Sequence, residues 1–323
     1  MSVEIKQPTD DVIEQAARHL LTGGLVAMPT ETVYGLAADA ENKTAVARMY
    51  AAKGRPADHP VIVHVPDIAT VAHWVSDFPE YAKKLAQAFW PGPMTLVLPR
   101  SLAAGDFITG NQETVAIRVP SHPVALKLLH KFCELGGKGV VAPSANRYGA
   151  VSPTTAVAVA QELSDYLDSQ DFILDGGQCD VGLESTIIDC TGAAPKVLRP
   201  GAVTLEMIEQ ASGTKVAKES GTRIRVSGSH KKHYSPACQV LLAGEPTPGD
   251  GLIALEEVAT GPGVLRLASP KNLTEYASQL YGALREADHL GLKRVFVFAP
   301  AGAGLALALQ DRIQRAAAKG EEK

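Results

Sequence analysis

The sequence predicts a mixed α/β fold in two domains joined by a basic linker. The chain has 323 residues, which is long for one hydrophobic core. Short β-branched segments alternate with amphipathic helical segments up to about residue 204, and this alternation restarts at residue 238. Residues 205–237 are instead rich in Gly, Ser and basic side chains, which indicates an extended linker. We therefore predict domains at residues 1–204 and 238–323.

The first domain begins with an amphipathic helix, DDVIEQAARHLL, which ends at Gly23–Gly24. The strand LVAMP follows, then a helix, KTAVARMYAAK, that ends at Gly54. Next come the strand HPVIVHV and a helix, EYAKKLAQAF, that stops before Pro91. The remaining predicted strands are MTLVLPR, TVAIRVP, GVVAPSAN, FILDGG, STIIDC and KVLRPG. This order predicts a mixed α/β domain.

The second domain is predicted to be a small open sheet with parallel strands. Its strands are QVLLAG, GLIALEE, GVLRLAS and KRVFVFAP. A helix capped by Asn272 precedes the last strand, and GLALALQDRIQRAAAKG forms the closing helix. No G-x-G-x-x-G follows the first strand, so the sequence does not support a dinucleotide site. The linker before this domain carries the cations Lys215, Lys218, Arg223, Arg225, Lys231 and Lys232.

The composition excludes several classes of protein. A net charge of −4 gives no overall attraction to nucleic acid or to an anionic membrane. No apolar run approaches the length of a membrane span, and no export leader is visible, so we expect a cytoplasmic protein without membrane contact. The cysteines are scattered, which is typical of reduced thiols rather than a disulfide frame or a zinc site: Cys133, Cys179, Cys190 and Cys238.

Polar side chains cluster where five of the predicted strands end or begin. The segments are PTETVYG, KGRPADHPVIVHV, VAIRVPSHP, VVAPSANRYGAVSPT and GLESTIID, the last followed by VLRPG. The cations in these segments carry more positive charge than one bound carboxylate requires. The segments also contain several small hydroxyl side chains. No Ser/His/Asp order, metalloprotease motif or P-loop is present. The clusters therefore predict a site for an anionic nucleotide and a small zwitterion, without a protein nucleophile.

Four charged residues allow two interpretations each. Arg118 alternates with apolar residues, so it faces either solvent or a cavity where it binds a carboxylate or phosphate. Lys53 and Arg55 follow a helix, so they either face water near the helix dipole or bind a polyphosphate in a concave site. Glu184 either helps to hold a divalent metal or pairs with a nearby cation, and the sequence favours neither.

The same segments, in this order over residues 8–204, resemble the YrdC/Sua5 family of threonylcarbamoyl-AMP synthases. The motifs are PTETVYGLAADA, KGRP…HPVIVHV, WPGPMTLVL, VAIRVPSHP, APSANRYGAVSPT, DGG, ESTIID and VLRPGAV. The linker ending in HYSP, followed by a small α/β domain, resembles the longer Sua5 type. The resemblance implies a twisted YrdC-like domain with a positively charged concave cavity, a Rossmann-like C-terminal domain, and a linker that can lie over the cavity.

The resemblance also implies an activity. Such a nucleotidyltransferase joins L-threonine, bicarbonate and ATP into threonylcarbamoyl-AMP and releases pyrophosphate. This is the first step towards N6-threonylcarbamoyladenosine in tRNA, which a downstream threonylcarbamoyl transferase complex completes, and transient tRNA contact is possible. Mg²⁺ would accompany ATP, held mainly by its phosphates; protein ligands for it are unknown, and no organic cofactor is implied.

Carried over motif by motif, the resemblance assigns residues to two subsites. The threonine subsite comprises Thr32, His64, Arg118, Ser144 and Ser185. The nucleotide subsite comprises Lys53, Arg55, His59, Thr114, Asn146, Ser152, Arg199 and Tyr234. Lys53 and Arg55 are also the expected catalytic cations, because they would neutralise the triphosphate as it reacts. The resemblance departs at His59, where the family often has Asn.

Two other functions compete with this interpretation. Folds of this type have been regarded as double-stranded RNA binders that use the same positive cavity. Residues 1–204 contain 16 Lys and Arg against 22 Asp and Glu, which weakens a broad phosphate-binding surface but not a local patch. The second alternative is a carbamoyl-adenylate enzyme with another acceptor, although the extra domains of such relatives are not evident here.

Overall fold

The computed structural model describes residues 3–217, 224–228 and 234–318. Four of the predicted linker cations, Lys218, Arg223, Lys231 and Lys232, lie outside the described residues. The described ranges contain a ten-stranded sheet followed by a four-stranded sheet. The predicted combination of a large mixed α/β domain with a small one is confirmed.

The large sheet is built from ten short strands. They are β1 (Ile5–Lys6), β2 (Val26–Met28), β3 (Gly35–Asp39), β4 (Ile62–His64), β5 (Met94–Pro99), β6 (Thr114–Arg118), β7 (Val140–Val141), β8 (Phe172–Leu174), β9 (Thr186–Asp189) and β10 (Lys196–Arg199). Their spatial order is β1-β8-β2-β3-β7-β4-β6-β5-β9-β10. Parallel pairs such as β4–β6 and β5–β9 stand beside antiparallel pairs such as β5–β6, so the sheet is mixed.

Local capping explains where the helices of this domain begin and end. The helices are α1 (Asp10–Leu21), α2 (Lys43–Lys53), α3 (Val71–Trp74), α4 (Glu80–Phe89), α5 (Asp106–Thr109), α6 (Pro123–Glu134), α7 (Ala156–Leu163) and α8 (Leu205–Ser212). Asn42 Oδ1 accepts from the backbone N–H groups of Thr44 and Ala45 at the start of α2. Gly54 ends that helix in the left-handed conformation.

The large sheet is covered on both faces. Val26 and Met28 of β2 pack with α1 and α6, whereas Ala27 points to the opposite core around Trp74. Each face of the sheet is therefore covered by an apolar layer, and polar side chains concentrate at the strand ends.

The second domain is a parallel sheet with two helices. Its strands are β11 (Gln239–Leu241), β12 (Gly251–Ile253), β13 (Leu265–Ala268) and β14 (Arg294–Val297), in the order β11-β14-β12-β13. Its helices are α9 (Leu273–His289) and α10 (Leu305–Ala317). Asn272 Oδ1 accepts from Glu275 N at 2.9 Å, as predicted for the cap. No helix in the described ranges combines the length and apolar content that a bilayer crossing requires.

The structure corrects parts of the element prediction. The segment predicted as an extended linker begins with α8, which Thr204 caps and which packs against α4 through its apolar side. The strand predicted at GVVAPSAN is limited to Val140–Val141, because the following Pro143 and Ser144 turn the chain. The sequence analysis also missed β3, α6 and α7.

Candidate functional site

A buried cavity lies where strands of the large sheet end beside the linker. His64 and Arg118, the last residues of parallel strands β4 and β6, are partners in the register. Arg199 ends β10, and Ser185 directly precedes β9. The cavity measures ≈ 50 Å³ and is lined by Thr32, Val33, Arg55, Ile62, His64, Arg118, Ala142, Pro143, Ser144, Glu184, Ser185, Arg199, Ser227, Gly228 and Tyr234. Side chains far apart in sequence therefore share one hollow.

Arg118 faces this cavity and is held by Glu31. Arg118 Nη2 lies 2.8 Å from Glu31 Oε1, and the two side chains are only 5% and 7% exposed. Arg118 Nε donates to the carbonyl of Gly92 at 3.3 Å, and Glu31 Oε2 accepts from the backbone N–H of Ser121 at 3.1 Å. Because an unpaired buried cation is costly, the ion pair with Glu31 compensates the burial of the guanidinium and fixes its direction.

His64 is neutral and presents one acceptor. Burial, reinforced by Arg118, lowers the pKa of His64 from 6.5 to about 3. His64 Nδ1 lies 3.2 Å from the carbonyl oxygen of Ile62. A carbonyl oxygen can only accept, so Nδ1 carries the proton and Nε2 has a free lone pair. A donor such as an ammonium or hydroxyl group suits this nitrogen.

Thr30 and Thr32, which follow β2, form a turn whose hydrogen bonds fix the direction of the Thr32 hydroxyl. Thr30 Oγ1 donates to the carbonyl of Val33 at 2.6 Å, which uses its only proton. In the 2.8 Å hydrogen bond between the two hydroxyls, Thr32 must then be the donor and Thr30 the acceptor. The Thr32 oxygen therefore keeps its lone pairs at the cavity wall. This accounts for two hydroxyls at the end of an apolar strand.

Two further guanidinium groups complete the positive wall. Arg199 donates from Nε and Nη2 to the carbonyl of Ser185, at 3.1 and 2.9 Å, and from Nη1 to the carbonyl of Ser227 at 3.0 Å. Arg55 Nη2 donates to the carbonyl of Pro60 at 3.0 Å. Arg55 Nε is buried and has no hydrogen-bond partner within the described ranges. Burial lowers the pKa of both arginines.

Three predicted nucleotide-binding residues stand behind the cavity wall instead of lining it. Lys53 Nζ donates to the carbonyls of Ser144 and Asn146, at 2.5 and 2.6 Å. Asn146 Nδ2 donates to the carbonyls of Arg147 and Ala150. Ser152 Oγ donates to Glu184 at 2.7 Å. The ammonium of Lys53 finds its partners in the turn after β7, so the structure gives it a supporting position under that turn.

Two other predicted residues also lie outside the cavity lining. His59 is half-buried in the loop before β4, with its ring centroid 5.6 Å from that of Tyr148. Thr114 is the first residue of β6, at the opposite end of that strand from Arg118, and lines a separate small cavity. Strand length explains this separation, because successive residues advance about 3.3 Å along a strand.

The described linker residues Ser227, Gly228 and Tyr234 line one side of the cavity. Gln112 exchanges two hydrogen bonds with the backbone of Arg225, at 3.0 and 2.7 Å. This pins Ser227 and Gly228 against the cavity. Tyr234 is buried at the same wall, with its ring stacked on Tyr281 of α9 at 5.6 Å between centroids, and its predicted contact with the nucleotide stays a prediction.

Sequence reasoning missed the contribution of the C-terminal domain. Arg312 of α10 is fully buried, and its Nε lies 2.8 Å from Glu184 Oε2. Tyr281 donates to the same oxygen at 2.9 Å. Burial alone would raise the pKa of Glu184, but Arg312 and Arg199 outweigh it and lower the pKa to about 2. Of the two interpretations left open for Glu184, the structure favours pairing with a cation.

Comparisons with known proteins agree with this architecture. A family model described as "Telomere recombination", covering Sua5, YciO and YrdC, matches residues 18–201. A second model, described as the threonylcarbamoyl-AMP synthase C-terminal domain, matches residues 203–318. The threonylcarbamoyl-AMP synthase of Pyrococcus abyssi is 38% identical over 94% of this chain and 93% of the relative. That of Bacillus subtilis is 36% identical over 95% of this chain and 93% of the relative.

A solved structure extends the likeness to three dimensions. The crystal structure of P. abyssi Sua5 complexed with L-threonine has a TM-score of 0.86 and 34% sequence identity, and the match covers 98% of this chain and 97% of that one. The likeness therefore spans both domains. On this basis, the chain belongs to the Sua5/YciO/YrdC family and carries the C-terminal domain of the Sua5 type.

Proposed function

We propose that the chain is a threonylcarbamoyl-AMP synthase that joins L-threonine, bicarbonate and ATP and releases pyrophosphate. The observation that carries the proposal is the shared cavity of Arg55, Arg118 and Arg199 with the neutral His64. Relatives named for this activity match nearly the full length of the chain, which supports the same reaction here. The product would pass to a threonylcarbamoyl transferase acting on tRNA.

Threonine would bind at the carboxyl ends of β4 and β6. Arg118 would bind the carboxylate through two nitrogen atoms, which suits a guanidinium better than an ammonium. His64 Nε2 would accept from the threonine hydroxyl or ammonium, and the Thr32 oxygen offers a second acceptor nearby. Because Glu31 already orients Arg118, little reorganisation would be needed on binding.

The nucleotide would bind on the side of Arg55 and Arg199, next to the linker. The neutral threonine amine would form a bond to the carbon of bicarbonate, with a C–O bond breaking and water leaving, or to the carbon of CO₂, with a proton lost to solvent; either route gives a carbamate. A carbamate oxygen would then attack the α-phosphorus of ATP while the bond to pyrophosphate breaks. Both steps occur between bound small molecules, so the protein contributes position and positive charge.

The donor set does not fit a metal site built by the protein. Among the described residues, no three His, Cys, Asp or Glu side chains group as metal ligands. Glu184 has both oxygens engaged, by Ser152 on one side and by Arg312 and Tyr281 on the other. Mg²⁺ accompanying ATP would therefore depend on the phosphates, and we assign no step to protein-bound metal.

The proposal is tested by threonine-dependent release of pyrophosphate from ATP in the presence of bicarbonate. We expect release with L-threonine, much less with L-serine, which lacks the methyl group, and none when bicarbonate is removed. Release stimulated by another carbamoyl acceptor instead of threonine would favour the carbamoyl-adenylate alternative. Salt-sensitive binding to double-stranded RNA without consumption of ATP would favour an RNA-binding module.

A further inference from the structure

The two domains meet at a charged network beside the cavity. Arg312 reaches across the interface from α10, with Nε on Glu184 and Nη2 donating to the carbonyl of Pro200 at 3.0 Å. Its guanidinium carbon lies 5.4 Å from the ring centroid of Tyr234. This one side chain of the C-terminal domain therefore contacts Glu184 in the cavity wall, Pro200 directly after β10, and Tyr234 of the linker.

Glu184 creates an electrostatic problem for the proposed substrates. It lines the same cavity as the arginines and is only 7% exposed. Threonine and ATP both bring negative charge, so an uncompensated carboxylate there would repel them at low local dielectric. Ser152 and Tyr281 satisfy its hydrogen bonds but supply no charge. Within the part of the chain that the structure describes, Arg312 is the cation that forms an ion pair with it.

We propose that Arg312 is a positioning residue for the cavity of the first domain, which neutralises Glu184 and holds it away from the anionic substrates. The C-terminal domain then completes the site electrostatically without touching the substrates. This inference rests on the proposed function, since it concerns the binding of threonine and ATP at that cavity.

Other charged groups around Glu184 do not replace Arg312. Among the described residues, the titratable and charged groups around it are Arg199 of β10, Tyr234 of the linker, Tyr281 of α9, Asp311 and Arg312 of α10, and Arg55 and Arg118 in the same cavity lining. Arg199 also acts on Glu184 through its charge, but it is held by the carbonyls of Ser185 and Ser227 and forms no ion pair with Glu184 among the described residues, whereas Arg312 does. Asp311 is paired with Arg312 and Arg315, and the tyrosines are held neutral because burial raises their pKa values.

The test compares Arg312→Met with the double variant Arg312→Met/Glu184→Gln and with the control Tyr281→Phe, which removes a hydrogen bond from Glu184 but no charge. We expect Arg312→Met to raise KM for ATP and threonine by roughly tenfold or more, with a smaller change in kcat. The double variant should recover most of that loss. Tyr281→Phe should change KM by less than about threefold.

The pH profile separates electrostatic positioning from simple support of the fold. Removing Arg312 takes away the strongest influence that lowers the pKa of Glu184, so the carboxyl gains a proton at a higher pH than in wild type. The ratio of the KM of Arg312→Met to that of wild type should therefore fall as the pH is lowered. A defect that is independent of pH, or that Glu184→Gln does not relieve, would overturn the proposal.

Folding and the proposed activity are controlled separately. If thermal denaturation shows that Arg312→Met does not fold, the double variant decides the question, because a neutral pair should fold and bind a non-hydrolysable ATP analogue with near wild-type affinity. A folded double variant that fails to bind it would contradict the inference. If wild type binds the analogue but releases no pyrophosphate with threonine, only the proposed function fails.

Discussion

The most direct prediction concerns the replacement of Arg118 by Ala. The side chain is almost fully buried, its Nη2 lies 2.8 Å from Glu31 Oε1, and it is the expected partner of the threonine carboxylate. The substitution therefore removes two interactions together. One is an interaction with the substrate, and the other is an ion pair within the protein.

The two losses differ in kind and have separate magnitudes. Losing a buried charge-assisted contact to the substrate should cost roughly 3 kcal/mol, which is about a hundredfold in kcat/KM for threonine. Leaving Glu31 buried without its cation should lower the free energy of unfolding by about 3–5 kcal/mol. Adding Glu31→Gln removes the stranded charge, so the double variant should regain much of the stability and none of the activity.

The assay measures threonine-dependent pyrophosphate release. Denaturant unfolding of wild type, Arg118→Ala and the double variant is measured at the same pH. Arg118→Lys is a matched variant, because it keeps the charge but loses the two-pronged geometry, and we expect intermediate activity. The reasoning is refuted if Arg118→Ala keeps kcat/KM for threonine within about threefold of wild type. It is also refuted if Glu31→Gln restores activity to Arg118→Ala.

Three further predictions address other parts of the site. Lys53→Met leaves two backbone carbonyls without their hydrogen-bond donor, so it should reduce the free energy of unfolding by about 1–3 kcal/mol and lower kcat/KM. An unchanged melting temperature and unchanged activity would show that the ammonium does not support the turn. His64 stays neutral in the folded protein, so between its ordinary pKa of 6.5 and its folded-state pKa of about 3 only the unfolded state gains the proton. The free energy of unfolding should therefore fall by about 1.4 kcal/mol for each pH unit across that range as the pH is lowered. Unfolding curves of the His64→Gln variant should lack this contribution to the slope. A Cβ on Gly228 would lie 2.4 Å from the hydroxyl of Tyr234, whereas one on Gly213 would meet open space, although both glycines have positive φ. Gly228→Ala should therefore impair pyrophosphate release far more than Gly213→Ala, and equal losses would argue against a close fit of the linker over the cavity.

The elements that the sequence predicted best carry strong local signals. The helices α1 and α2 have apolar residues at helical spacing, a side-chain cap at the start, and glycine after the end, and each of these features is present in the structure. Helix α8 was missed because Gly and basic residues directly after it gave the whole segment the composition of a linker. Its apolar side becomes a signal only once α4 is available to pack against it.

The site was predictable where one strand end bears one polar group. The polar clusters at strand ends included His64, Arg118 and Arg199, and the structure brings these three side chains to one cavity, whereas their subsite roles came from the resemblance and stay predictions. Arg312 could not be found by the same logic. It lies on an amphipathic helix among other charges, where a cation usually faces solvent, and only the packing of α10 against the first domain buries it.

The cations of the cavity have protein partners in advance of any substrate. Glu31 orients Arg118, and backbone carbonyls orient Arg55 and Arg199. Carbonyl partners leave the positive charge uncancelled while removing side-chain freedom, so an anionic substrate would meet donors that are already aimed and would reorganise little. The same arrangement makes the linker part of the site, because Ser227 supplies one of the carbonyls that hold Arg199. Displacing residues 225–228 would therefore remove a partner of this guanidinium as well as uncover one wall of the cavity.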